Sequence, residues 1–320
     1  MKNTIHRKVA LLVGVLFLAF ANLSAENTEK TKSKWLDEQP KHIGLTWNVS
    51  MDVVSNYVWR GLYVGGLGIQ PDFSVGYGGA FIDMWWNIGA GDWTFKQPYG
   101  CTKTKMNPEV DMTIGFSRWG LTVMFMHMYY FDYYKNFDGT ISDNRSRYFN
   151  FDNTAPGGGI TQEWRIKYKV SSKLPLSILW CTRTWGRDGY MIDGSGKQIS
   201  CGTYCGMTPE QQNACSTKRA YSSYLELGYD FSLPYDMTLE ARVGMTPWKS
   251  MYTGFNGDFA VCNVSAKLLR TWNVCDHLNI VGFANLMLNP YDIANNANGN
   301  GSVNGGRQCL WNVGCTFALK

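Results

Sequence analysis

Glu163-Trp164-Arg165-Ile166-Lys167-Tyr168-Lys169-Val170 sets a charged side chain against a bulky apolar one at every step. A helix, repeating every 3.6 residues, would scatter these side chains around its surface. An extended strand repeats every two and sorts them onto two faces, one charged and one apolar. The next run does the same, with Leu176, Ile178 and Trp180 against Ser177, Cys181 and Arg183.

The pattern recurs in both directions along the chain. Towards the N-terminus it covers Leu45 to Trp59, then Ile69 to Tyr77, Ile82 to Ile88 and Val110 to Phe116, while Leu121 to Phe131 is apolar on both sides. Towards the C-terminus it covers Tyr221 to Phe231, Met237 to Met245, Ala260 to Leu268, roughly Leu278 to Leu288, and Trp311 to Leu319. These runs predict an all-β fold of about 12 antiparallel strands. In the first run Trp47 and Trp59 are separated by roughly 40 Å of strand at ~3.3 Å per residue. That is long enough for the two rings to mark the two interfaces of a bilayer.

The connections support a closed barrel rather than a sandwich. Gly78 to Gly79, Ser117 to Gly120, Ser171 to Lys173, Ser232 to Asp236 and Arg270 to Asp276 are short, whereas Asp132 to Gly159, Gly186 to Thr217 and Asn289 to Arg307 are long and polar. Short turns at one end and long loops at the other describe an up-and-down transmembrane β-barrel of the outer-membrane kind. Aromatic content of 15% and charged content of 17% suit a lipid-facing surface. A barrel also leaves no strand edge in lipid, where an unpaired backbone group is costly.

The N-terminus has the form of an export signal. Lys2, Arg7 and Lys8 precede the apolar run Val9 to Ala21, with small residues at Ser24 and Ala25. Residues 1–25 are read as a signal peptide, 26–43 as a charged periplasmic lead-in without periodicity, and 44–320 as the barrel. Removing residues 1–25 takes three basic residues and no acidic one, so a formal charge of +5 falls to +2. That balance, with basic residues scattered along the chain, argues against a nucleic-acid partner. The expected partners are outer-membrane lipid, the barrel-assembly machinery and small polar solutes.

Nine cysteines leave at least one unpaired. In an oxidising compartment the loop group Cys201, Cys205 and Cys215 could form one local disulfide. These cysteines lack a CxxC pair or a nearby His, so zinc is not expected. Asp138 to Asn144 lacks the spaced acidic series and closing Glu of a calcium loop. Gly65 to Gly68 is followed by no helix and is no phosphate cradle. No cofactor is expected.

At Ser55-Asn56-Tyr57-Val58-Trp59-Arg60-Gly61 the chain resembles the TorF-like porin family, with an opening strand that carries Ser, Tyr, an aromatic and Arg-Gly. Pro71, the Trp-rich strand around Trp85 and Trp86, and Glu109-Val110-Asp111 with Gly115 are similar to that family's pattern as well. The likeness covers residues 45–117. It implies an outer-membrane barrel and suggests a channel. The cysteine-bearing loops depart from the family's pattern, and the closing Phe317-Ala318-Leu319-Lys320 lacks the terminal aromatic of many outer-membrane barrels.

Taking the polar side of each strand as the lumen gives a candidate pore lining. Asp52, Asp72, Asp83 and Asp111 form an acidic wall, with Arg60 expected near the outer rim. Glu163, Arg165, Lys167, Arg183, Glu226, Glu240, Arg242 and Lys267 form a mixed, partly basic one. Opposed charge across a narrow pore would orient polar or zwitterionic solutes. The alternative is a closed interior held by ion pairs, and for Arg60 and Asp52 the two readings weigh equally. A lipid hydrolase is a third class, but His127 sits among Met124, Met126 and Met128 with no nearby Ser to pair with, so no catalytic residue is assigned.

Overall fold

The computed structural model describes residues 44–89, 108–130, 160–186, 188–199, 203, 206–255, 257–289 and 309–319. The expected signal peptide, the lead-in, Cys101, Cys201, Cys205 and the Asp138 to Asn144 turn lie outside them. Strands β1 (Leu45–Val54), β4 (Gly68–Tyr77), β5 (Ala80–Gly89), β6 (Glu109–Arg118), β7 (Leu121–Tyr130) and β8 (Ile160–Lys169) run antiparallel in chain order. They continue through β9 (Leu176–Gly186), β13 (Ser223–Leu233), β14 (Met237–Thr246), β15 (Ala260–Cys275), β16 (Leu278–Leu288) and β17 (Cys309–Leu319). The last strand pairs with the first, Asp52 facing Thr316 and Val54 facing Gly314, so twelve strands close into one barrel.

The register sorts the side chains as the alternation requires. Asp83, Thr113 and Met126 are successive partners across β5, β6 and β7, and all fall on the inner face, while Ile82, Ile114 and Phe125 fall on the outer one. Outward side chains are the exposed ones: Trp47, Phe73, Ile82, Ile114, Trp164, Ile166, Leu286 and Trp311 each keep about 40% or more of their surface open. No helix among the described residues is long and apolar enough to cross a membrane. A closed barrel wearing an apolar belt is the surface of a membrane-spanning protein. Ten residues of β1 at ~3.3 Å, tilted by about 40°, give about 25 Å of height, which matches the apolar band of an outer-membrane barrel.

At the end where β1 starts and β17 stops, the connections are tight. Gly78 and Gly79 join β4 to β5 with φ of 60° and 99°, positive at both central positions as primed hairpin turns demand. Trp119 and Gly120 join β6 to β7 in the same way. At the other end, β10 (Gly189–Ile192), β11 (Gln198–Ile199) and β12 (Ser216–Arg219) form a small separate sheet, beside the short helix α1 (Pro209–Asn213) capped by Thr208.

Two expectations need correction and a third is narrowed. The first run does not stay in the wall up to Trp59: β1 ends at Val54, and β2 (Tyr57–Trp59) and β3 (Leu62–Gly65) form their own hairpin. Period two marks a strand but not its sheet, so alternation continued across the break unnoticed. Ser55 makes the break, donating its N–H to Val313 O at 2.9 Å and accepting from Val313 N at 3.0 Å, while Asn56 Nδ2 donates to Trp311 O at 3.0 Å. The turn expected at Arg270 to Asp276 is shorter, because β15 runs on to Cys275 with a register shift after Asn273. A loop staple through Cys215 is not formed: its thiol is free and donates to Gln211 O at 3.3 Å.

Candidate functional site: the barrel lumen

The β2–β3 hairpin occupies the outer end of the lumen, and its tip is Arg60-Gly61. Both have positive φ, 49° and 76°, so Trp59 turns directly back to Leu62. Only glycine fits the second position. A Cβ on Gly61 would lie 2.3 Å from Cys262 O on β15, against which the tip is seated.

Arg60 is therefore not at the rim. It is 8% exposed and reaches Glu163 on β8, which is 0% exposed, through two parallel bonds, Nη1 to Oε2 and Nη2 to Oε1, both 2.9 Å. This fork is the strong form of an ion pair. Nη1 also donates to Tyr252 Oη at 2.7 Å and Nη2 to Cys181 Sγ at 2.8 Å. The guanidinium lies 4.4 Å from the Trp59 ring and 4.8 Å from that of Tyr224. Glu163 takes a second cation, Arg165 Nε at 2.6 Å. Tyr252 belongs to a 3-10 turn, Met251–Thr253, dipping in from the connection between β14 and β15. Burial pushes its phenol above the ordinary tyrosine value, so it meets Arg60 as a neutral hydroxyl.

The hairpin touches the opposite wall too. Tyr57 donates to Glu109 Oε2 on β6 at 3.1 Å and packs against Trp85 of β5 in a tilted pair, ring centres 5.5 Å apart. Leu62, Cys181, Tyr224, Tyr252 and Cys262 form a buried cluster with Trp59 packed on it. Trp59, expected to mark an interface, is an internal side chain.

Beside this plug lies a cavity of about 260 Å³. Six of the thirteen residues chosen from sequence line it: Asp52, Arg60, Glu226, Glu240, Arg242 and Lys267. The other seven share the inner face elsewhere. Asp72, Asp83 and Asp111 stand on β4 to β6, and Glu163, Arg165, Lys167 and Arg183 on β8 and β9. Arg242 binds Asp230, with Glu240 at 3.6 Å and Glu226 at 3.9 Å. Lys267 Nζ sits 4.2 Å from the Phe283 ring centre.

Sequence reasoning missed the uncharged part of this lining. Asn263, Asn285 and Asn312 face the cavity, are 3%, 8% and 8% exposed, and each has an Oδ1 without a hydrogen-bond partner. Asn312 and Asn285 are register partners, and Asn285 in turn faces Lys267. Asn263 and Asn312 stand on the polar side of their runs, so for these two the signal was present, whereas Asn285 shares its face with Val281, Phe283 and Met287. Tyr57, Tyr224 and Tyr252 gave no such signal, because tyrosine alternates with either face. His127 falls on the outer face of β7, buried beside Gln162 of β8, with Nε2 to Nδ1 at 3.3 Å. No cluster of His, Cys, Asp or Glu among the described residues has metal-holding geometry.

No family model matches the chain, and no curated protein does. Solved structures that match include the NanC porin, with 12% identity, a TM-score of 0.36, and coverage of 86% of this chain and 98% of that one. The P. putida toluene transporter TodX matches at 10% identity and a TM-score of 0.34, over 86% and 88%. The CymD monoaromatic hydrocarbon channel matches at 8% and 0.34, over 86% and 87%. The closed barrel, its apolar belt and its one-sided short turns place the chain in a bacterial outer membrane.

Proposed function

We propose that this barrel is a porin-like channel for small polar solutes, narrowed at its outer end by the β2–β3 hairpin. The observation that carries the reading is a polar cavity beside the hairpin, lined by charged and amide side chains from β1 and β13 to β17. A twelve-stranded wall is wider than the side-chain-filled eight-stranded barrels and narrower than the open sixteen-stranded porins, so a hairpin can restrict it without filling it. The resemblance of residues 45–117 to the TorF-like porin family supports the same reading. The motif that carries the resemblance ends in Arg60-Gly61, which here forms the tip of the hairpin. Residues 1–25 would direct export and the barrel-assembly machinery would insert the strands, with outer-membrane lipid against the belt.

A closed structural barrel is the second reading, favoured by the Arg60 to Glu163 fork across the lumen. Single-channel current of the refolded chain in a planar bilayer separates the two, alongside Arg60→Gln and Asp52→Asn. The channel reading expects discrete steps, larger in Arg60→Gln and altered in ion selectivity in Asp52→Asn. Silence in all three would overturn it and leave the closed barrel.

A further inference from the structure

The cavity beside the hairpin is lined by three acidic side chains, Asp52, Glu226 and Glu240, and three basic ones, Arg60, Arg242 and Lys267. Four of the six are engaged. Arg60 is clamped by Glu163, and Arg242 lies among Asp230, Glu240 and Glu226. Asp52 and Lys267 are left over, since among the described residues neither is in an ion pair. Asp52 has the Thr316 side chain as a hydrogen-bond partner, and Lys267 rests on the Phe283 ring, its Nζ 4.2 Å from the centre.

Both head groups remain reachable. The two side chains are half-buried, and neither has a polar atom that is buried without a partner. Lys267 Nζ makes no hydrogen bond among the described residues, so it keeps surface open on the inside of the barrel, where its strand faces Glu240. The two cannot pair with each other. Lys267 is level with Asn312 through Asn285, whereas Asp52 is level with Thr316, four residues further along β17. Two intervening strands and an offset of roughly 13 Å, at ~3.3 Å per residue, hold their backbone positions apart. The long lysine side chain shortens that gap without closing it, and its charge still acts on Asp52.

An ion of one sign would answer one of these charges and leave the other without a partner, in a lining that is balanced overall. A molecule with an ammonium at one end and a carboxylate at the other answers both and adds no net charge. Phe283 and Met287 give the methylene groups between its ends an apolar surface. A volume of about 260 Å³ admits a solute of amino-acid size rather than a drug-sized one.

We propose that this cavity is a recognition subsite for a small zwitterion of amino-acid size, whose ammonium meets Asp52 and whose carboxylate meets Lys267. The inference rests on the channel reading for its purpose, since the solute would pause there in transit. It does not rest on that reading for its test.

The full chain, refolded in detergent, is titrated at pH 7 with 4-aminobutyrate, sodium butyrate and butylammonium chloride, and binding is followed by saturation-transfer NMR against a protein-free micelle blank. Saturable binding is expected with 4-aminobutyrate, at least tenfold tighter than with either single-charge relative. In Asp52→Asn and in Lys267→Gln its affinity falls at least fivefold. The relatives then separate in opposite directions, butyrate binding better than butylammonium in Asp52→Asn and worse in Lys267→Gln. A merely structural loss would weaken all three solutes alike. Absence of saturable 4-aminobutyrate binding, a single-charge relative binding as tightly in the parent, or no reversal between the two variants overturns the proposal. The comparison of the three solutes on the parent stands even where a variant fails to fold. Bilayer current recorded on the same preparation keeps the two readings apart. Current without 4-aminobutyrate binding sinks the subsite and spares the channel; binding without current spares the subsite and sinks the channel.

Discussion

The two sides of the lumen handle buried polarity in opposite ways. Around Glu163 on β8, the central charges are answered by partners: two arginines on one carboxylate, with tyrosine, cysteine and aromatic faces completing the shell of Arg60. On β15 to β17, three amide oxygens stand buried without partners. A satisfied network rigidifies, whereas a half-satisfied one is costly unless something else completes it. The first region therefore reads as a brace, and the second as a stretch of wall whose buried amides add little to stability.

Four substitutions bear on this contrast. Glu163→Leu removes the shared partner of Arg60 and Arg165 and strands one buried and one half-buried cation, so the largest loss is expected here, about 3–5 kcal/mol. It is measured as urea unfolding from lipid vesicles followed by tryptophan fluorescence; a loss under about 1 kcal/mol would mean the fork is ornamental. Gly61→Ala drives a methyl into Cys262 O and strains a positive φ, for about 3 kcal/mol and a displaced hairpin tip. Single-channel conductance should rise with it, and an unchanged conductance would remove the hairpin from the permeation path. Tyr252→Phe deletes one acceptor of Arg60 and should cost about 2 kcal/mol in the same unfolding assay. Asn312→Val trades an unsatisfied amide for an apolar side chain of similar size. It should stay within about 0.5 kcal/mol of the parent or stabilise it. A large loss there would mean that the amide already has a structural duty, and the contrast would fall.

Much of the wall was legible in the sequence because a half-buried strand in a barrel has two solvents, lipid outside and the lumen inside, and each imposes its own chemistry every second residue. Glu163 to Val170 could be assigned a face residue by residue on that ground alone. Trp59 could not. A hairpin folded into the lumen alternates as regularly as a wall strand, and what distinguishes them is the partner strand, which period two does not encode. The burial of Arg60 could not be read either, since Glu163 lies 103 residues away and no local pattern joins them. The asparagines were passed over for another reason: alternation puts a side chain on the inner face, but which inner side chains line the cavity depends on register, which composition does not carry.

The Ser55 and Asn56 anchors on β17 have a consequence for the order in which the molecule can be made. They tie the root of the hairpin to Val313 and Trp311, on the strand that closes the barrel against β1. Its tip, meanwhile, holds a residue of β8. The first strand and its hairpin are synthesised long before either anchor exists, and both attachments span large sequence separations, the slow kind of contact to form. Final seating of the hairpin's root thus waits on seam closure, and a chain truncated before β17 would keep the partners of Arg60 yet lose the anchors at Val313 and Trp311.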